Sequence, residues 1–403
     1  MSLIRRWIQK LPGWNGGQAV RWAWAYMGIV GFLALFGPWL ANEKPYYCRL
    51  DGQSYYPLFS GITESNLSGR HPSHAPVSWK STSFQAIWRT PIPYSHTTID
   101  LDTGVYGHPL GHQSVSGRYR HWLGTDALGR DVLAGMIRGC RVSLWIGLGS
   151  MLLALLIGIP LGAAAAWWGN HGWTMTLMQC IMSFVIVLAL WFIWLTPISW
   201  MVKGGLSVAL LLIFYFVQTR GAGPDQKGIS VPLDQIVMGV ISILDGIPGI
   251  FLILILVAIV PFKGWLVIMI IIALMRWTTM ARYMRAEVFK MRETNYIRAA
   301  RVLNIPSIRI LRAQIIPFAF RPVMVSFVFG VSTAILTESS LSFLGIGLPA
   351  EEINWGRLLA QSRGHFEAWW LVVFPGMAIF LTLLCLYGIG NAWQKLLIMK
   401  NDE

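Results

Sequence analysis

The chain has 403 residues, of which 55% are hydrophobic and 12% are charged, and it contains 21 tryptophans. This composition excludes an ordinary soluble globular protein, because such proteins carry about 25% charged residues. The net charge of +14 would suit nucleic-acid binding. Because much of that charge lies in short segments beside apolar runs, where Lys and Arg orient membrane proteins, we expect no nucleic-acid partner.

The N-terminal segment 1–21 is basic, and an apolar run over 22–41 follows it. The run is long enough to cross a bilayer. A cleaved secretory signal is the alternative, but no small-x-small site follows the run cleanly. The pattern predicts a cytoplasmic segment over 1–21 and a first transmembrane helix over 22–41.

Residues 42–142 form a polar stretch that is too long for an ordinary connector. We expect a small periplasmic subdomain of mixed structure, with short strands in SYYPLF and TTIDLD. Six of the eight histidines lie here: His71, His74, His96, His108, His112 and His121. Pro109 spoils a helical metal-binding face for His108 and His112, so solvated histidines without a metal are expected.

The cysteines show no metal-ligand spacing. Cys180 and Cys385 fall in apolar runs and are expected to be packing residues. A disulfide between Cys48 and Cys140, outside the membrane, stays open as an alternative.

The segment 143–396 contains most of the apolar runs and is predicted to be a transmembrane domain, followed by a cytoplasmic tail over 397–403. Thr125 or Asp126 is predicted to cap a helix that begins at Ala127 and leads into the second span. Gly158, Pro160 and Gly162 would let another helix approach that span closely. The predicted spans cover 144–166, 247–262, 264–280, 322–344 and 369–390, with two extra runs, 175–198 and 202–217, forming a hairpin inserted over 173–227.

The segment 282–321 is polar and lies between two spans. It carries nine Lys and Arg against two acids, Glu287 and Glu293, so the positive-inside rule places it in the cytoplasm. Apolar residues recur in it at helical spacing, and Asn304 with Pro306 should end that helix. Ser307 is expected to cap a second short helix that Pro317 ends. Such a compact knob would suit docking into a groove on a partner protein.

This segment resembles the coupling loop of ABC-importer permeases, with the motif Glu-Ala-Ala, three residues, Gly, nine residues, Ile-x-Leu-Pro. Arg298, Asn304 and Gln314 replace the motif's Glu, Gly and first Ile, whereas Ala299, Ala300, Ile316 and Pro317 follow it. Residues 121–144 and 335–361 resemble the C-type permease subunit of dipeptide and oligopeptide importers. Residues 41–59 resemble the subgroup that takes up microcin C and longer peptides.

The resemblance implies an all-α polytopic protein with the type I ABC-importer permease fold. About eight transmembrane helices are expected, six of the family plus the inserted hairpin. It also implies a bacterial inner-membrane subunit with both termini in the cytoplasm. Its expected partners are a second permease, two ATPase subunits and an extracytoplasmic peptide-binding protein. The chain has no Gly-x4-Gly-Lys-Ser/Thr loop, so ATP should be bound by the partners, and no cofactor is expected in this chain.

Two groups of site residues follow from the resemblance. Asp126, Arg130 and Asp131 match a Gly-Thr-Asp…Gly-Arg-Asp element that would orient the second span against the partner permease or receive the binding protein. A capped amphipathic surface helix is the alternative there. The ATPase-coupling residues would be Tyr296, Arg298, Ala299, Ala300, Leu303, Asn304 and Pro317.

Glu338 lies beside Ser339 and Ser342 at the outer end of an apolar span. An ionisable group at such a depth is costly, and it marks a translocation path or a paired contact with the second permease. Both roles stay open from the sequence alone.

Peptide import is therefore the predicted function, and two alternatives remain beside it. The same kind of permease could move a nickel complex or an oligosaccharide, since the binding protein largely sets the affinity. A membrane scaffold without transport is the other. A membrane-embedded enzyme would need ionisable clusters within the spans, where only isolated ones occur.

Overall fold

The computed structural model describes residues 17–50, 52–62, 84–100, 104–109, 119–170, 229–260, 264–349 and 351–399, with scattered positions over 64–82 and 174–213. The chain divides into two compact units. The first consists of Met1–Ile157, Ile247–Met280 and Arg321–Glu403, and the second consists of Gly158–Gly246 and Ala281–Phe320.

The described part of the chain is mainly helical. Its helices are α1 (Gly17–Leu40), α2 (Pro57–Ser60), α3 (Val132–Trp168), α4 (Leu233–Gly246), α5 (Gly249–Ile259), α6 (Trp265–Arg292), α7 (Asn295–Val302), α8 (Ser307–Ile310), α9 (Ile316–Phe343), α10 (Trp355–Gln361) and α11 (Trp370–Met399). A π-turn, Leu311–Ile315, joins α8 to α9.

Five of the described helical segments are long and apolar enough to cross a membrane, or six if α4 and α5 together make one broken span. The five are Gly17–Leu40, Val132–Trp168, Trp265–Arg292, Ser307–Phe343 and Trp370–Leu397. The protein is therefore a polytopic helical membrane protein. The predicted hairpin over 173–227 lies mostly outside the described residues. Its neighbouring strands β4 (Thr174–Met175) and β5 (Ile229–Ser230) pair with each other, so the segment returns to where it left.

The predicted span over 247–262 is wrong in length. Pro248 ends the preceding helical run, because proline has no N–H for the helical hydrogen bond, and it takes the N-cap position of α5. The 11 residues of α5 extend about 16 Å, which is shorter than the hydrocarbon core of a bilayer.

A small sheet forms in the polar stretch after α1, as the sequence predicted for part of it. Strands β1 (Tyr47–Leu50), β2 (Gln53–Tyr55) and β3 (Ala86–Trp88) are antiparallel in the order β2-β1-β3. Only the first half of SYYPLF is strand, because Pro57 begins α2. In TTIDLD, Ile99 forms a single bridge with Arg130, and Leu101 with Asp102 lies outside the described residues.

Cys48 lies in the core of this sheet, beside Leu50 and Trp79. Burial raises the pKa of its thiol to about 11. Both Cys48 and Cys140 are free, buried thiols, so the alternative of a disulfide between them is not realised in this structure.

Helix α3 begins five residues later than predicted, at Val132. Its cap is Asp131, whose Oδ1 accepts the N–H of Ala134 at 2.7 Å. Asp126 instead folds the preceding turn, where its Oδ1 accepts the N–H groups of Leu128 and Arg130. The predicted cap at Thr125 or Asp126 is therefore wrong, because Asp126 is used within that turn and the Thr125 hydroxyl bonds to the backbone of Gly104 and Gly107.

The segment predicted as a coupling loop is more helical than expected. Helix α6 runs on to Arg292 as one continuous helix. Asn304 ends the helical stretch after α7 with φ of 58°, in the left-handed conformation, as predicted. Ser307 is not a cap, since Pro306 holds that position. Pro317 does not end a helix either, since α9 continues past it to Phe343 and the π-turn Leu311–Ile315 lies directly before it.

At Gly162, the backbone of α3 lies against the backbone of α6 at Ala281. The sequence predicted such a close approach of another helix at this glycine. A methyl group in its place would overlap the backbone carbonyl of Ala281, a residue that is fully buried. The close approach of the two backbones therefore requires the absence of a side chain.

We expect Gly162→Ala to lower the free energy of unfolding by about 1–3 kcal/mol, since a backbone must move to admit the methyl group. Gly239→Ala on α4 is the matched control, because no atom lies within 4 Å of the added carbon there. Thermal unfolding of both variants in the same detergent measures the difference. Equal melting temperatures would show that the backbones do not depend on this glycine.

Candidate functional sites

Helix α7 presents two different faces. Ile297 is fully buried and Ala300 is 5% exposed, so these two side chains hold α7 to the rest of its unit. Tyr296 is 47% exposed, Val302 86% and Leu303 75%. We call the exposed set Tyr296, Ala299, Val302, Leu303 and Ile308 the knob patch.

Two arginines attach this knob to the end of α3. The Arg292 guanidinium donates to the carbonyl oxygens of Ala166 and Trp167 at 3.1 and 3.4 Å. These carbonyls belong to the last turn of α3, where helical acceptors lack N–H partners and a cation is favourable. Arg301 lies 4.6 Å from the centre of the Trp167 ring. The knob is thus fixed to α3 by its own basic residues.

Helix α4 is tied to the same region by two ion pairs. Asp234 accepts from Arg285 at 2.5 and 2.7 Å in a bidentate pair, and Asp245 pairs with Arg282 at 2.7 Å. Bidentate pairs fix both the distance and the orientation of the two groups. Asp245 thus makes the helix-end contact that its position after an apolar run suggests.

The surroundings of the knob patch are basic. Arg298, Arg309 and Arg312 are exposed, and Arg298 pairs with Glu293 at 2.8 Å. The hydrogen bond from Arg298 lowers the pKa of the Glu293 carboxyl, so that pair stays charged at neutral pH. An apolar patch with cations at its edge fits a partner groove that carries acidic residues at its rim.

The structure separates the residues predicted for ATPase coupling. Tyr296, Arg298, Ala299, Leu303, Asn304 and Pro317 are exposed, whereas Ala300 is buried. Val302, the most exposed apolar residue of α7, was missed. Helical spacing from Ala299 reaches both Val302 and Leu303, so the signal was present in the sequence.

Glu338 forms the second candidate site, and it is completely buried. One carboxylate oxygen accepts from Ser143 at 3.1 Å and from Ser339 at 3.4 Å. The other accepts from Ser342 at 3.1 Å and from the side-chain amide of Asn354. Four donors on three parts of the chain therefore converge on one carboxylate, as a buried charge requires.

The same cluster seats helix α10 against α3. Asn354 caps α10 through its Oδ1, which accepts the N–H of Arg357 at 2.8 Å. The Trp355 indole donates to the carbonyl of Met136 at 3.1 Å, and a methyl group on Gly139 would overlap the Trp355 ring. The resembling stretches 121–144 and 335–361 thus pack on each other.

Glu338, Ser339 and Ser342 have at most 5% of their surface exposed. The hydrogen bonds described above lie within the chain. The predicted position on a translocation path or at the interface with the second permease stays a prediction. The sequence showed that Glu338 needs partners but could not show that the chain supplies them.

The knob patch and Glu338 both lie in a stretch of the chain that matches a known protein family. Residues 222–398 match the family described as binding-protein-dependent transport system inner membrane component. A protein of Brucella suis, provisionally named a peptide transport system permease, is 30% identical over 280 residues, which are 69% of this chain and 73% of that protein. The chain belongs to this permease family.

Two further relatives match the permease over nearly its whole length. The inner membrane ABC transporter permease protein YejE of Escherichia coli K12 is 28% identical over 91% of this chain and 89% of its own. The peptidoglycan transport system permease protein YejE of Agrobacterium fabrum is 26% identical over 93% and 89%. These two matches include the polar stretch between α1 and α3.

The Gly-Thr-Asp…Gly-Arg-Asp element of the permease is buried as well. Its residues Asp126, Arg130 and Asp131 are at most 5% exposed. Arg130 pairs with Asp126 at 2.8 Å, and the Gln361 amide donates to the same carboxylate at 3.2 Å. The motif therefore orients α3 from within the chain. The alternative of a capped surface helix is wrong, because these side chains are enclosed. The predicted contact of this element with a second permease or a binding protein stays a prediction.

His121 completes this motif and is only 2% exposed, so the expectation of a solvated histidine is wrong for it. Its Nδ1 lies 2.8 Å from Asp131 and its Nε2 lies 3.2 Å from Asp100, while the Tyr94 ring stacks on it at 4.2 Å. Lys80 also pairs with Asp100 at 3.0 Å. Among the described residues no group of three or more His, Cys, Asp or Glu could hold a metal ion. His71, His74 and His112 lie outside that part of the chain.

We expect Glu338→Ala to lower the free energy of unfolding of the permease by about 1–3 kcal/mol for each buried donor left without an acceptor. Ser340→Ala is the control, because Ser340 is an exposed neighbour on the same helix that bonds only to the carbonyl of Leu336. Thermal unfolding in detergent compares the two. A Glu338→Ala protein that keeps its melting temperature but loses transport would support a role of Glu338 in the translocation path instead.

Proposed function

We propose that this permease is the membrane subunit of an ABC importer for peptides. Its partners would be a second permease, two ATPase subunits and an extracytoplasmic binding protein. The knob patch is the observation that carries this proposal. The chain itself would bind no ATP and hold no cofactor, because it lacks a phosphate-binding Gly-x4-Gly-Lys-Ser/Thr loop.

The knob patch supports docking because water-exposed apolar side chains are costly unless a partner covers them. Val302 and Leu303 lie side by side at the end of α7 with most of their surface exposed. Contiguous exposed apolar residues with a polar rim are typical of protein–protein contact sites. The nine cations over 282–321 favour the cytoplasmic side, where ATPase subunits would be found.

The route for force runs through the backbone on both sides of the knob. Helix α6 enters it without a break, and the segment Ser307–Phe343 leaves it as one membrane-length helical stretch. A displacement of α7 by closing ATPase subunits would therefore act on two spans at once. Such a coupled movement would shift the permease between inward-facing and outward-facing states.

In this proposal both termini lie in the cytoplasm, the three-stranded sheet lies in the periplasm, and the inserted hairpin over 173–227 brings the span count to about eight. Helix α1 makes one crossing between the N-terminal segment and the sheet, so the two lie on opposite sides of the membrane. The basic residues of 1–21 place the N-terminal segment in the cytoplasm. The buried clusters at Glu338 and Asp131 then lie toward the outer half of the bundle, where they hold the spans in register.

We expect Leu303→Asp to abolish co-purification of the ATPase subunits with the permease, since a charge would have to be buried in the docked patch. Phe366→Asp is the matched control, because Phe366 is 91% exposed and lies between α10 and α11, outside the membrane-length helices. Ala300→Asp places the same charge on the buried face of α7. Comparing it with Leu303→Asp distinguishes a loss of docking from a loss of folding.

Affinity capture of the full permease from membranes, followed by quantification of bound ATPase, measures this effect. Undiminished ATPase recovery with Leu303→Asp would refute docking at the knob patch. Loss with Phe366→Asp as well would show that any added charge disrupts the complex.

The peptide substrate is supported by relatives. The Brucella suis protein carries a peptide-transport name, and proteins named oligopeptide and dipeptide transport permeases in Bacillus subtilis are 27% and 26% identical to this chain. The names of these relatives give no support to nickel complexes or to free oligosaccharides. Peptidoglycan fragments are a second candidate, because the Agrobacterium fabrum relative, which covers 93% of this chain, is named for peptidoglycan transport.

A deletion strain tests the substrate. We expect it to take up labelled peptides more slowly than its parent, with recovery on expression of the permease from a plasmid. Purified peptidoglycan peptides and sugar-linked fragments are supplied in parallel arms. Normal uptake of every peptide together with impaired uptake of sugar-linked fragments would replace the peptide assignment by the second candidate.

A further inference from the structure

A cavity of about 210 Å³ lies in the first unit where the end of α1 meets the start of α3. Its walls are Gly37, Pro38, Asn42, His96, Arg138 and Arg141. At about 30 Å³ per water molecule this volume would hold about seven waters, so a phosphate-sized group fits. We call it the Arg141 cavity.

The two arginines of this cavity differ in their partners. Arg138 is held by Glu352 through hydrogen bonds of 3.0 and 3.3 Å and lies 4.9 Å from the centre of the Trp265 ring. Arg141 is half-buried and has no hydrogen-bond or ion-pair partner in the part of the chain that the structure describes. A guanidinium has five N–H donors, so one that is partly removed from water without a partner is a strong anion site.

His96 adds a third nitrogen-bearing side chain to the wall. Burial lowers the pKa of its imidazole, and the Arg138 guanidinium lowers it further. The ring is therefore neutral at pH 7 and can donate one hydrogen bond without adding charge. The net positive charge of the cavity thus comes from Arg141, since Arg138 is balanced by Glu352.

The position of the cavity along the bilayer normal is marked by two tryptophans. Trp39, next to Pro38 on α1, is 51% exposed, and Trp145, one turn beyond Arg141 on α3, is 50% exposed. Exposed tryptophans collect at the level of lipid headgroups. In the turns of α1 that precede Trp39, Phe32 and Leu35 expose more than half of their surface, as expected of a helix in contact with acyl chains.

We propose that the Arg141 cavity binds the phosphate of an anionic phospholipid headgroup, with Arg141 as its principal donor. Arginine binds phosphate oxygens in a bidentate geometry that an ammonium group cannot reproduce. A free phosphate ion shares this chemistry, but the adjacent tryptophans and apolar α1 surface favour an anchored lipid. This site is independent of what the permease transports.

The test uses the full-length permease, delipidated in detergent and titrated with dioleoyl phosphatidylglycerol or dioleoyl phosphatidylcholine while bound lipid is counted by native mass spectrometry. We expect phosphatidylglycerol to bind at least about tenfold more tightly than phosphatidylcholine, because both lipids carry a phosphate but the choline ammonium of the latter is repelled by the positive charge of the cavity. Arg141→Gln should lose that preference, as expected for one charged contact. Arg49→Gln, which removes an exposed arginine of β1, should leave the preference unchanged.

Arg141→Lys keeps the charge and should recover only part of the affinity, and equal melting temperatures of all variants show that each is folded. Inorganic phosphate is added as a competitor in a separate arm. Displacement of phosphatidylglycerol by millimolar phosphate, equal binding of both lipids, or undiminished binding by Arg141→Gln would each overturn the lipid assignment. Resistance to phosphate with loss in Arg141→Gln alone would support it.

Discussion

A single buried carboxylate organises the packing of α3, α9 and α10 in this permease. Glu338 would be strongly destabilising inside an apolar bundle if its charge were unmatched. Its four donors come from α3, from α9 and from the residue that caps α10, so the carboxylate can be satisfied only when these three parts are in place together. The cost of leaving it unmatched therefore selects one arrangement of the helices.

The knob depends on the opposite principle. Its inner face uses apolar burial at Ile297 and basic residues that bind the end of α3, whereas its outer face leaves apolar side chains in contact with water. Glu338 stabilises its part of the fold through satisfied polar groups. In the proposed function a partner covers the knob patch, as expected of a surface that receives force rather than one that maintains the fold.

Much of this architecture could be predicted from local patterns. The apolar runs gave the long spans because their length is fixed by the bilayer, and Asn304 was correctly predicted to end a helix because few residues accept a positive φ. Gly162 was predicted to be a close-contact position because it lacks a side chain. These predictions share one feature, which is that a single residue or run determines the outcome.

The failures concern choices that depend on distant residues. Asp126 and Asp131 are equally good caps in isolation, and the choice between them follows from contacts with Gln361 and His121, which the sequence does not rank. Pro317 was expected to end a helix, but the helical stretch continues past it to Phe343. The partners of Glu338 could not be assigned from the sequence either, since Ser143 and Asn354 lie far from it along the chain.

The π-turn Leu311–Ile315 has a consequence for how related permeases could diverge. A π-turn holds one residue more than the equivalent α-helical turn, and each residue advances a helix by about 100°. Loss or gain of one residue at this joint would turn α8, with Ile308, relative to α9, while α7 keeps its contacts with α3. Related permeases could thus adjust one edge of the proposed docking surface through length alone.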